Sequence, residues 1–234
     1  MRLETIKFKN KYFFYRTDTK DKSILEEVFL HDSYLSLIHL NKQQNWLDIG
    51  ANIGSFSVAI FDKVYRINAY EPERQNFEIL RKNLNLNRCP NAEGFEEAIT
   101  GNDDSEISFY VYEGTNKAVH TTLTTGENRR EVKVKAKNIV NILQKYPSVN
   151  IKMDIEGGEY DVIKAIHEAN LFDKIDQLIF EYHFSFLEDW PQQTKFKELQ
   201  EILEPHFDSS KTKIIKEDGQ LNEKYEMRIC YYSK

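Results

Sequence analysis

The chain has little of what marks secreted, membrane or metal-binding proteins. Of its 234 residues only Cys89 and Cys230 are cysteines, and their separation fits no metal-ligand spacing, so we expect two unlinked thiols. No apolar run approaches the roughly 18 residues that a membrane-spanning helix needs, and no basic-then-apolar leader opens the sequence. These absences predict a cytoplasmic protein with no membrane partner.

Motifs for nucleotide phosphates are missing as well. The sequence contains neither the Gly-x-Gly-x-x-Gly of dinucleotide sites nor the Gly-Lys-Ser/Thr of phosphate-binding loops. The net charge of −6 argues against a polyanionic partner such as nucleic acid. Hydrophobic residues make up 40% of the chain, which is enough for a packed core and excludes a disordered protein.

The most informative segment is an apolar run that ends at Asp48 and leads into a glycine turn. Gly50, Asn52 and Gly54 make up the turn, and a helical segment follows it. A second apolar run ends at Glu71, 21 residues after Gly50, where a nucleotide-binding fold places the acid that meets a ribose. The spacing Gly-x-Asn-x-Gly lacks the glycine that a pyrophosphate needs, so the motif favours S-adenosylmethionine over NAD.

We assign a predicted cofactor contact to each residue of this motif. The two glycines and Asn52 allow positive φ angles that bring backbone N–H groups close to a ligand, and the helix start suits the methionine carboxylate. Asp48 is predicted to accept a hydrogen bond from the ammonium, directly or through water, and Glu71 to accept both ribose hydroxyls. Glu97 and Ala98, at the expected end of a third strand, are predicted to meet the adenine.

A second constellation lies in the segment Ile151–Tyr160. Lys152, Asp154 and Glu156 alternate, so they share one face of a strand and its exit. A buried lysine without a partner would cost several kcal/mol, so Lys152 needs an acid or a ligand. We predict Asp154 as the general base with Lys152 as its tuning partner, and Glu156 and Glu159 as contacts for other hydroxyls of a methyl acceptor.

The next strand offers further candidates. Glu181 and His183 share a face, and His183 is either an alternative base near neutral pH or a hydrogen-bonded core residue. Glu181 is predicted to contact the acceptor or to pair with Lys152. Thr122, in the threonine-rich segment 120–125, offers a hydroxyl to the acceptor unless that segment is simply a solvated loop.

These carboxylates and the imidazole also suit a divalent cation. Oxygen-rich sets with one imidazole favour Mg²⁺ or Mn²⁺ over zinc. Clusters of this kind are more often paired with basic groups, and Lys152 is already present. We therefore predict that the protein needs no obligatory metal ion.

The order of secondary-structure elements predicts the fold. From residue 45 onwards, apolar runs typical of strands alternate with helical patterns, which favours a doubly wound, mostly parallel α/β sheet of Rossmann-like type. Residues 213–216 and 225–232 follow the last helix as an expected hairpin, which adds an antiparallel strand at one edge. We predict one globular domain over residues 45–234.

Two elaborations are expected on this sheet. Residues 3–16 alternate as a β-hairpin and residues 22–39 have helical spacing, so segment 1–44 is predicted to pack on the core. Residues 107–112 and 132–136 alternate with period two, which predicts an antiparallel β-insertion whose loop reaches over the cofactor edge.

Four motifs are shared with a known family: D-I-G-A-N-I-G (48–54), Y-E-P (70–72), L-R-K-N-L-N-L-N (80–87) and I-K-M-D-I-E-G-G-E (151–159). Together they resemble the FkbM-type methyltransferases over about residues 45–183. The resemblance implies an S-adenosylmethionine-dependent enzyme of doubly wound fold that methylates hydroxyls of sugars or natural products. Where the family usually has Leu-Asp before the lysine strand, this chain has Lys137-Asn138, and Asn138 still suits a helix cap.

Three functions are compatible with these patterns. The leading hypothesis is an S-adenosylmethionine-dependent O-methyltransferase that acts on a glycan or another hydroxylated small molecule. An RNA ribose 2′-O-methyltransferase is the first alternative, but it needs a basic groove and stacking aromatics, and the basic clusters at 129–135 and 211–216 are short. A non-catalytic cofactor-binding module is the second alternative. The oligomeric state is left open.

Overall fold

The computed structural model describes five stretches of the chain, residues 2–31, 34–113, 129–183, 192–217 and 227–234. Their strands are β1 Leu3–Phe8, β2 Lys11–Arg16, β3 Asn45–Ile49, β4 Arg66–Tyr70, β5 Ala92–Phe95, β6 Ala98–Thr100, β7 Glu106–Tyr112, β8 Arg129–Asn138, β9 Val149–Met153, β10 Ile175–His183, β11 Lys213–Glu217 and β12 Met227–Ser233. The α-helices are α1 Asp21–Glu26, α2 Ser55–Ile60, α3 Arg74–Leu86, α4 Ile139–Leu143, α5 Glu159–Glu168 and α6 Gln192–Leu203. Short 3₁₀ turns cover Phe61–Lys63, Phe172–Lys174 and Glu204–His206.

Seven strands form the central sheet in the order β5-β4-β3-β9-β10-β12-β11. The first five of these pair in parallel, whereas β12 is antiparallel to both β10 and β11. The predicted doubly wound, mostly parallel sheet is therefore confirmed. The predicted antiparallel strand, β12, is also present. It is the second strand from the edge of the sheet, because β11 pairs with its outer side.

After β3 the chain continues towards one edge of the sheet, to β4 and β5. After β9 it continues towards the opposite edge, to β10. The direction of winding therefore reverses between the neighbouring strands β3 and β9. In sheets of this kind ligands bind at the carboxyl ends of the strands beside such a switch point. Asp48 and Lys152 face each other in register across this boundary. The fold thus places both sequence motifs at the same edge of the sheet.

Buried apolar residues cover both faces of the sheet. Leu178 and Phe180 pack in one cluster and Ile179, between them, packs in the other, as the alternation of a strand requires. β9 is buried along its whole length, and its apolar residues Val149, Ile151 and Met153 alternate with two polar ones. Its polar residues, Asn150 and Lys152, therefore need partners inside the protein.

A smaller sheet accompanies the main one. In it β6 is parallel and β7 antiparallel to β8. This arrangement confirms the antiparallel insertion predicted at 107–112 and 132–136. β8 leads directly into α4, and Asn138 caps that helix as predicted, since its Oδ1 accepts a hydrogen bond from the backbone N–H of Val140 at 2.8 Å.

β1 and β2 form the predicted hairpin, and side-chain amides of α3 and of its C-terminal cap bond to the backbone of β2. Asn83 Oδ1 accepts from the N–H of Phe14 at 2.7 Å, and its Nδ2 donates to the carbonyls of Phe14 and Ile53 at 3.1 and 2.8 Å. Asn87 makes the same pair of bonds with Tyr12, at 2.9 and 2.6 Å. The two amides satisfy backbone groups that a neighbouring strand would otherwise pair.

Arg16, at the end of β2, ties the hairpin to two helices. Its Nε and Nη2 donate to the carboxylate of Asp21 at 2.8 Å each, and Nη2 also donates to Asn76 Oδ1 at 2.6 Å. Arg16 and Asp21 are both buried. A buried pair with this fork geometry fixes the angle at which the hairpin meets α1 and α3.

The helix predicted over residues 22–39 is shorter than its pattern suggested. α1 ends at Glu26, and the chain continues as a π turn over Glu27–His31. The widened turn buries Val28 and Phe29 together and leaves Leu30 62% exposed. An apolar stripe with a regular helical period is therefore not maintained beyond α1.

Cys89 and Cys230 are both free and buried, which confirms the predicted unlinked thiols. Within the described ranges, no helix combines the length and the apolar composition that crossing a membrane requires. The division of the chain at residue 44 stays a prediction.

Candidate active site

A cavity of about 970 Å³ opens at the carboxyl ends of the parallel strands, beside the switch point. Its wall is built from the turn after β3, the ends of β4, β9 and β10, and the start of β6. The N-terminal segment contributes Ile24, Glu27, Val28 and Tyr34 to the same wall. Both sequence motifs therefore share one cavity with a segment that neither motif includes.

The turn after β3 has the backbone that its glycines predict. Gly50, Asn52 and Gly54 have φ angles of +76°, +50° and +87°. A Cβ on Gly50 would lie 1.7 Å from the carbonyl oxygen of Asp154, and one on Gly54 would lie 2.6 Å from Leu80 Cδ1. Gly50 is thus required by its close approach to the backbone at the end of β9, and Gly54 by its positive φ. Gly50 and Asn52 line the cavity, whereas Gly54 lies against α3 and is not part of its wall.

Glu71 lines the cavity at the end of β4, and backbone groups hold its carboxylate in place. Oε2 accepts from the N–H of Asn52 at 2.8 Å, and Oε1 accepts from the N–H of Glu73 at 2.9 Å. Burial raises the pKa of Glu71 to about 7, although these two hydrogen bonds act in the opposite direction. The glycine turn and the predicted ribose acid are therefore one hydrogen-bonded unit.

Glu97 and Ala98 lie further along the same cavity wall, at the start of β6. Glu97 Oε2 is 3.4 Å from Lys137 Nζ, yet it has no hydrogen-bond partner among the described residues. Lys137 is one of the two residues at which the sequence departs from the related motif. It supplies the positive charge nearest to the predicted adenine contact.

Asp48 and Lys152 form a buried pair behind the turn. Lys152 Nζ donates to the carbonyl of Gly50 at 3.0 Å and lies 3.6 Å from Asp48 Oδ1. Ser57 Oγ donates to the other oxygen of Asp48 at 2.6 Å. The acidic partner predicted for Lys152 is therefore confirmed. Asp48 is completely buried and does not line the cavity, so its contact with a cofactor stays a prediction.

Lys152 remains an ammonium in this environment. Burial alone lowers its pKa, but the attraction of Asp48, Asp154 and Glu181 is larger in sum and raises the pKa above the ordinary value. Its Nζ lies 3.8 Å from Asp154 Oδ2. Lys152 thus links the buried pair behind the turn with the carboxylate that faces the cavity.

His183 lies among four carboxylates. Its Nδ1 is 3.1 Å from Glu159 Oε1, and its Nε2 lies 3.6 Å from Glu156, 3.6 Å from Glu181 and 3.8 Å from Asp154. Burial lowers the pKa of His183, but attraction by these carboxylates outweighs it and raises the pKa well above the usual value. The surrounding carboxylates therefore favour the imidazolium form of His183.

Glu159 positions this imidazolium from behind. Its Oε1 accepts from the N–H of Ile155 at 3.0 Å and its Oε2 accepts from the N–H of Gly157 at 2.9 Å. The side chain is buried and does not line the cavity. Its predicted contact with an acceptor stays a prediction, and its observed contacts are with the loop after β9 and with His183.

Glu156 lies in that loop with an unusual backbone. Its φ is +55°, a value that non-glycine residues adopt rarely and that costs free energy. Burial, followed by repulsion from Asp154 and Glu181, raises the pKa of Glu156 to about 8, although His183 acts in the opposite direction. Glu156, Glu181, Asp154 and His183 all line the cavity.

Tyr34 is a site residue that sequence reasoning missed. Its hydroxyl donates to Glu181 Oε2 at 2.7 Å, and its ring centroid lies 5.7 Å from Lys152 Nζ. In the sequence it is one aromatic residue beside an apolar helical pattern, which predicts a core position. Only the tertiary fold brings the N-terminal segment to β9 and β10.

Two predictions are not settled by this geometry. Ligand atoms of Asp154, Glu159 and His183 lie within 4.8 Å of one another, which is close enough for a divalent cation. The expectation that the protein needs no obligatory metal ion therefore stays a prediction. Thr122 lies outside the described residues, and its contact with an acceptor also stays a prediction.

Comparison with known proteins agrees with the fold. Residues 48–210 match the methyltransferase FkbM domain. No curated protein matches the chain significantly. The FkbM methyltransferase from Methylobacillus flagellatus KT is similar in structure, with a TM-score of 0.50 and 17% identity over 89% of this chain. The chain spans 48% of that protein.

Two further solved structures show the same fold. TYW2 of M. jannaschii in complex with AdoMet has a TM-score of 0.53 and 11% identity, over 98% of this chain and 84% of its own. The Pyrococcus abyssi tRNA (uracil-54, C5)-methyltransferase in complex with S-adenosyl-L-homocysteine has a TM-score of 0.51 and 9% identity, over 98% of this chain and 44% of its own. At these identities the likeness concerns the fold alone.

The match over residues 48–210, together with the sheet order and the glycine turn, defines the class of protein as an S-adenosylmethionine-dependent methyltransferase. Within that class, the chain belongs to the FkbM methyltransferase domain family.

Proposed function

We propose that this protein transfers a methyl group from S-adenosylmethionine to a hydroxyl of a sugar, a glycan or another polyhydroxylated small molecule. The observation that carries the proposal is the position of Asp154. Its carboxylate is 29% exposed and lines the cavity where the glycine turn meets the cluster around His183. The carboxylate of Asp154 therefore lies between the predicted cofactor site and the rest of the cavity.

The residues around the turn fit the proposed cofactor. Glu71 accepts hydrogen bonds from two backbone N–H groups and from the side chain of Asn76, which leaves one of the roughly four lone-pair sites of its carboxylate for a ribose hydroxyl. Glu97 Oε2 lacks a hydrogen-bond donor among the described residues and suits the adenine amino group. Asp48 is proposed to act indirectly, because it holds Lys152 and Ser57 behind the turn.

Asp154 is proposed as the general base. S-adenosylmethionine supplies a methyl group on a positively charged sulfur, and the acceptor oxygen takes this methyl as the carbon–sulfur bond breaks. The carboxylate of Asp154 accepts the proton of the hydroxyl, a role that contributes roughly 10²–10⁴-fold. The carboxylates around Lys152 and His183 outweigh burial and raise the pKa of both groups, which favours their protonated forms. Both are therefore proposed to orient the carboxylate of Asp154, and Asp154 is proposed as the base in preference to His183.

The two alternatives make different predictions. An RNA ribose methyltransferase would retain RNA in a salt-sensitive manner, but the carboxylates around His183 would repel phosphates near the proposed base. A non-catalytic module would bind the cofactor without turnover on a broad acceptor panel. In that case replacement of Asp154 would have no measurable effect.

We also propose a cytoplasmic location and a catalytic domain over residues 45–234. The two free, buried cysteines support the location. Because Glu27 and Tyr34 line the cavity, the segment before residue 45 is proposed to contribute to the active site and not only to packing.

Transfer of a labelled methyl group tests the proposed function. The wild-type protein should methylate at least one member of a panel of sugars and polyols. Asp154→Asn should bind S-adenosylhomocysteine normally and lose about 10²-fold or more in turnover. Asp173→Asn, an exposed position remote from the cavity, serves as the matched control. Equal turnover of the wild type and Asp154→Asn would refute the assigned base.

A further inference from the structure

We propose that Asn76 is a positioning residue of the cofactor site, which holds the carboxylate of Glu71 in the orientation that a ribose hydroxyl needs. The amide of Asn76 is in turn oriented by the buried Arg16 of the N-terminal hairpin. This role rests on the ribose contact proposed for Glu71, and it adds two residues that the glycine turn and its acid do not include.

Asn76 lies in the first turn of α3, and its own position is fixed on both sides. Its backbone N–H donates to Glu73 Oε2 at 2.7 Å, so that Glu73 caps the helix in front of it. The residue is 1% exposed, yet it contributes to the wall of the cavity beside Glu71. A buried amide at this place must have partners for its oxygen and for its nitrogen.

Arg16 determines which way this amide points. A guanidinium has donors only, and Arg16 Nη2 donates to Asn76 Oδ1 at 2.6 Å. The nitrogen of the amide therefore remains for the carboxylate of Glu71, to which the side chain of Asn76 donates a hydrogen bond. A flipped amide would turn its oxygen towards the carboxylate and its N–H groups towards the guanidinium, so both contacts would become repulsive.

The far end of this relay is firmly held. Arg16 and Asp21 are both buried, and two nitrogens of the guanidinium donate to the carboxylate of Asp21 at 2.8 Å each. Arg16 ends β2, which precedes the matched region 48–210. A hairpin outside the matched region therefore reaches the cofactor site through the side chain of Asn76.

Glu71 is the point at which the relay acts on the cofactor. Its carboxylate accepts from the N–H groups of Asn52 and Glu73 and from the side chain of Asn76. Three donors on different parts of the chain prevent its rotation and set the direction of the lone pair that remains for the ribose. Donors also favour the ionised carboxylate, so Asn76 lowers the pKa of Glu71 against burial and against repulsion from Glu73.

Calorimetric titration with S-adenosylhomocysteine tests this role without an acceptor. Wild type and Glu71→Gln are compared first, to establish that the cofactor binds through Glu71. Asn76→Ala should then bind about tenfold more weakly than the wild type at pH 7, because a hydrogen bond to a charged group is lost. Asn85→Ala, an exposed position on the same helix, is the matched control and should bind like the wild type.

A second variant separates the lost donor from a change in folding. Asn76→Asp retains an oxygen acceptor for Arg16 but has no N–H group for Glu71, and it adds repulsion between the two carboxylates. It should bind S-adenosylhomocysteine at least as weakly as Asn76→Ala, and it decides the matter if the alanine variant does not fold. Thermal midpoints of both variants are measured beside the titrations.

The pH dependence distinguishes positioning of Glu71 from a general loss of structure. Without the donor from Asn76 the pKa of Glu71 should rise, so the increase in affinity with pH should move upward by about one unit. The difference between wild type and Asn76→Ala should thus be largest near pH 6 and small near pH 9. A difference that is the same at every pH would overturn the assigned role.

A double variant tests whether Asn76 acts through Glu71. If it does, Asn76→Ala should weaken binding little further when it is added to Glu71→Gln. Fully additive losses would overturn the proposal and indicate that Asn76 contacts the cofactor directly. Equal binding by wild type and both Asn76 variants, beside a clear loss in Glu71→Gln, would overturn this role alone. A folded wild type that does not bind S-adenosylhomocysteine would remove the cofactor site itself, and the role of Asn76 with it.

Discussion

Lys152 lies directly opposite Asp48 in the parallel pairing of β9 with β3, and its ammonium is 3.6 Å from Asp48 Oδ1. The pair sits beneath the glycine turn, where Lys152 also donates to the carbonyl of Gly50. The two strands on either side of the switch point are therefore joined by a buried charge pair. This contact connects the motif predicted to bind the cofactor with the motif predicted to carry the base.

Removal of the lysine charge should destabilise the fold. Lys152→Met leaves Asp48 buried without a cation, which costs about 3–5 kcal/mol in the free energy of unfolding. Urea denaturation measures the change. The double variant Asp48→Asn/Lys152→Met should recover part of the loss, because it removes both charges. A single variant within about 1 kcal/mol of the wild type would contradict the assigned role.

Gly50 should tolerate no side chain. Its φ is +76°, and a Cβ would lie 1.7 Å from the carbonyl oxygen of Asp154. Gly50→Ala must therefore displace the end of β9 and should lower the free energy of unfolding by more than about 3 kcal/mol. Gly94→Ala is the matched control, since its nearest contact is a side-chain atom of Phe77 at 3.3 Å. Equal losses in the two variants would show that the turn does not constrain β9.

Cofactor affinity should depend on pH through Glu71. Burial raises its folded pKa to about 7 from the ordinary 4.5. Its contribution to stability is therefore complete below pH 4.5 and is lost as the pH rises through about 7. Binding has the opposite sign, because ribose hydroxyls donate to the ionised carboxylate. Affinity for S-adenosylhomocysteine should rise between about pH 6 and 8, by at most about tenfold per unit.

The control for this pH dependence is Glu71→Gln, which retains an acceptor oxygen but cannot ionise. Calorimetry on the variant should give weaker binding and a flatter profile over the same range. A wild-type profile that is already flat, or one that the variant reproduces, would rule out Glu71 as the titrating group.

The amides of α3 should matter for the N-terminal hairpin. Asn83 is buried and satisfies backbone groups of Phe14 and Ile53, so Asn83→Ala should cost about 2–3 kcal/mol. Hydrogen exchange of the Phe14 amide should accelerate in this variant, because its acceptor is removed. Asn85→Ala, an exposed position on the same helix, is the control and should change neither quantity. Unchanged exchange at Phe14 in Asn83→Ala would contradict the docking role.

Much of the architecture could be predicted from local patterns. The alternation of strands and helices from residue 45, and the 21 residues between Gly50 and Glu71, are set by the period of each element and by the geometry of one strand–turn–helix unit. Asn138 was predictable as a cap for the same reason. Such features depend on neighbours in the sequence, so the sequence contains the necessary information.

Contacts between distant segments were not predictable in this way. Tyr34 bonds to Glu181 across 147 positions of the chain, and no spacing rule connects them. Asn83 and Asn87 appear in the sequence as part of a shared motif, but their role in docking β2 depends on where the hairpin packs. The burial of Asp48 behind Lys152 likewise follows from strand register, which the predicted strands alone did not fix.

The central claim is that the cavity binds S-adenosylmethionine through the glycine turn and Glu71. Calorimetric titration of the wild type with S-adenosylmethionine and S-adenosylhomocysteine, beside Glu71→Ala, tests it most directly. The account predicts micromolar binding of both ligands and its loss in a variant that remains folded by circular dichroism. A folded wild type that binds neither ligand, or a Glu71→Ala protein that binds both as tightly as the wild type, would contradict it.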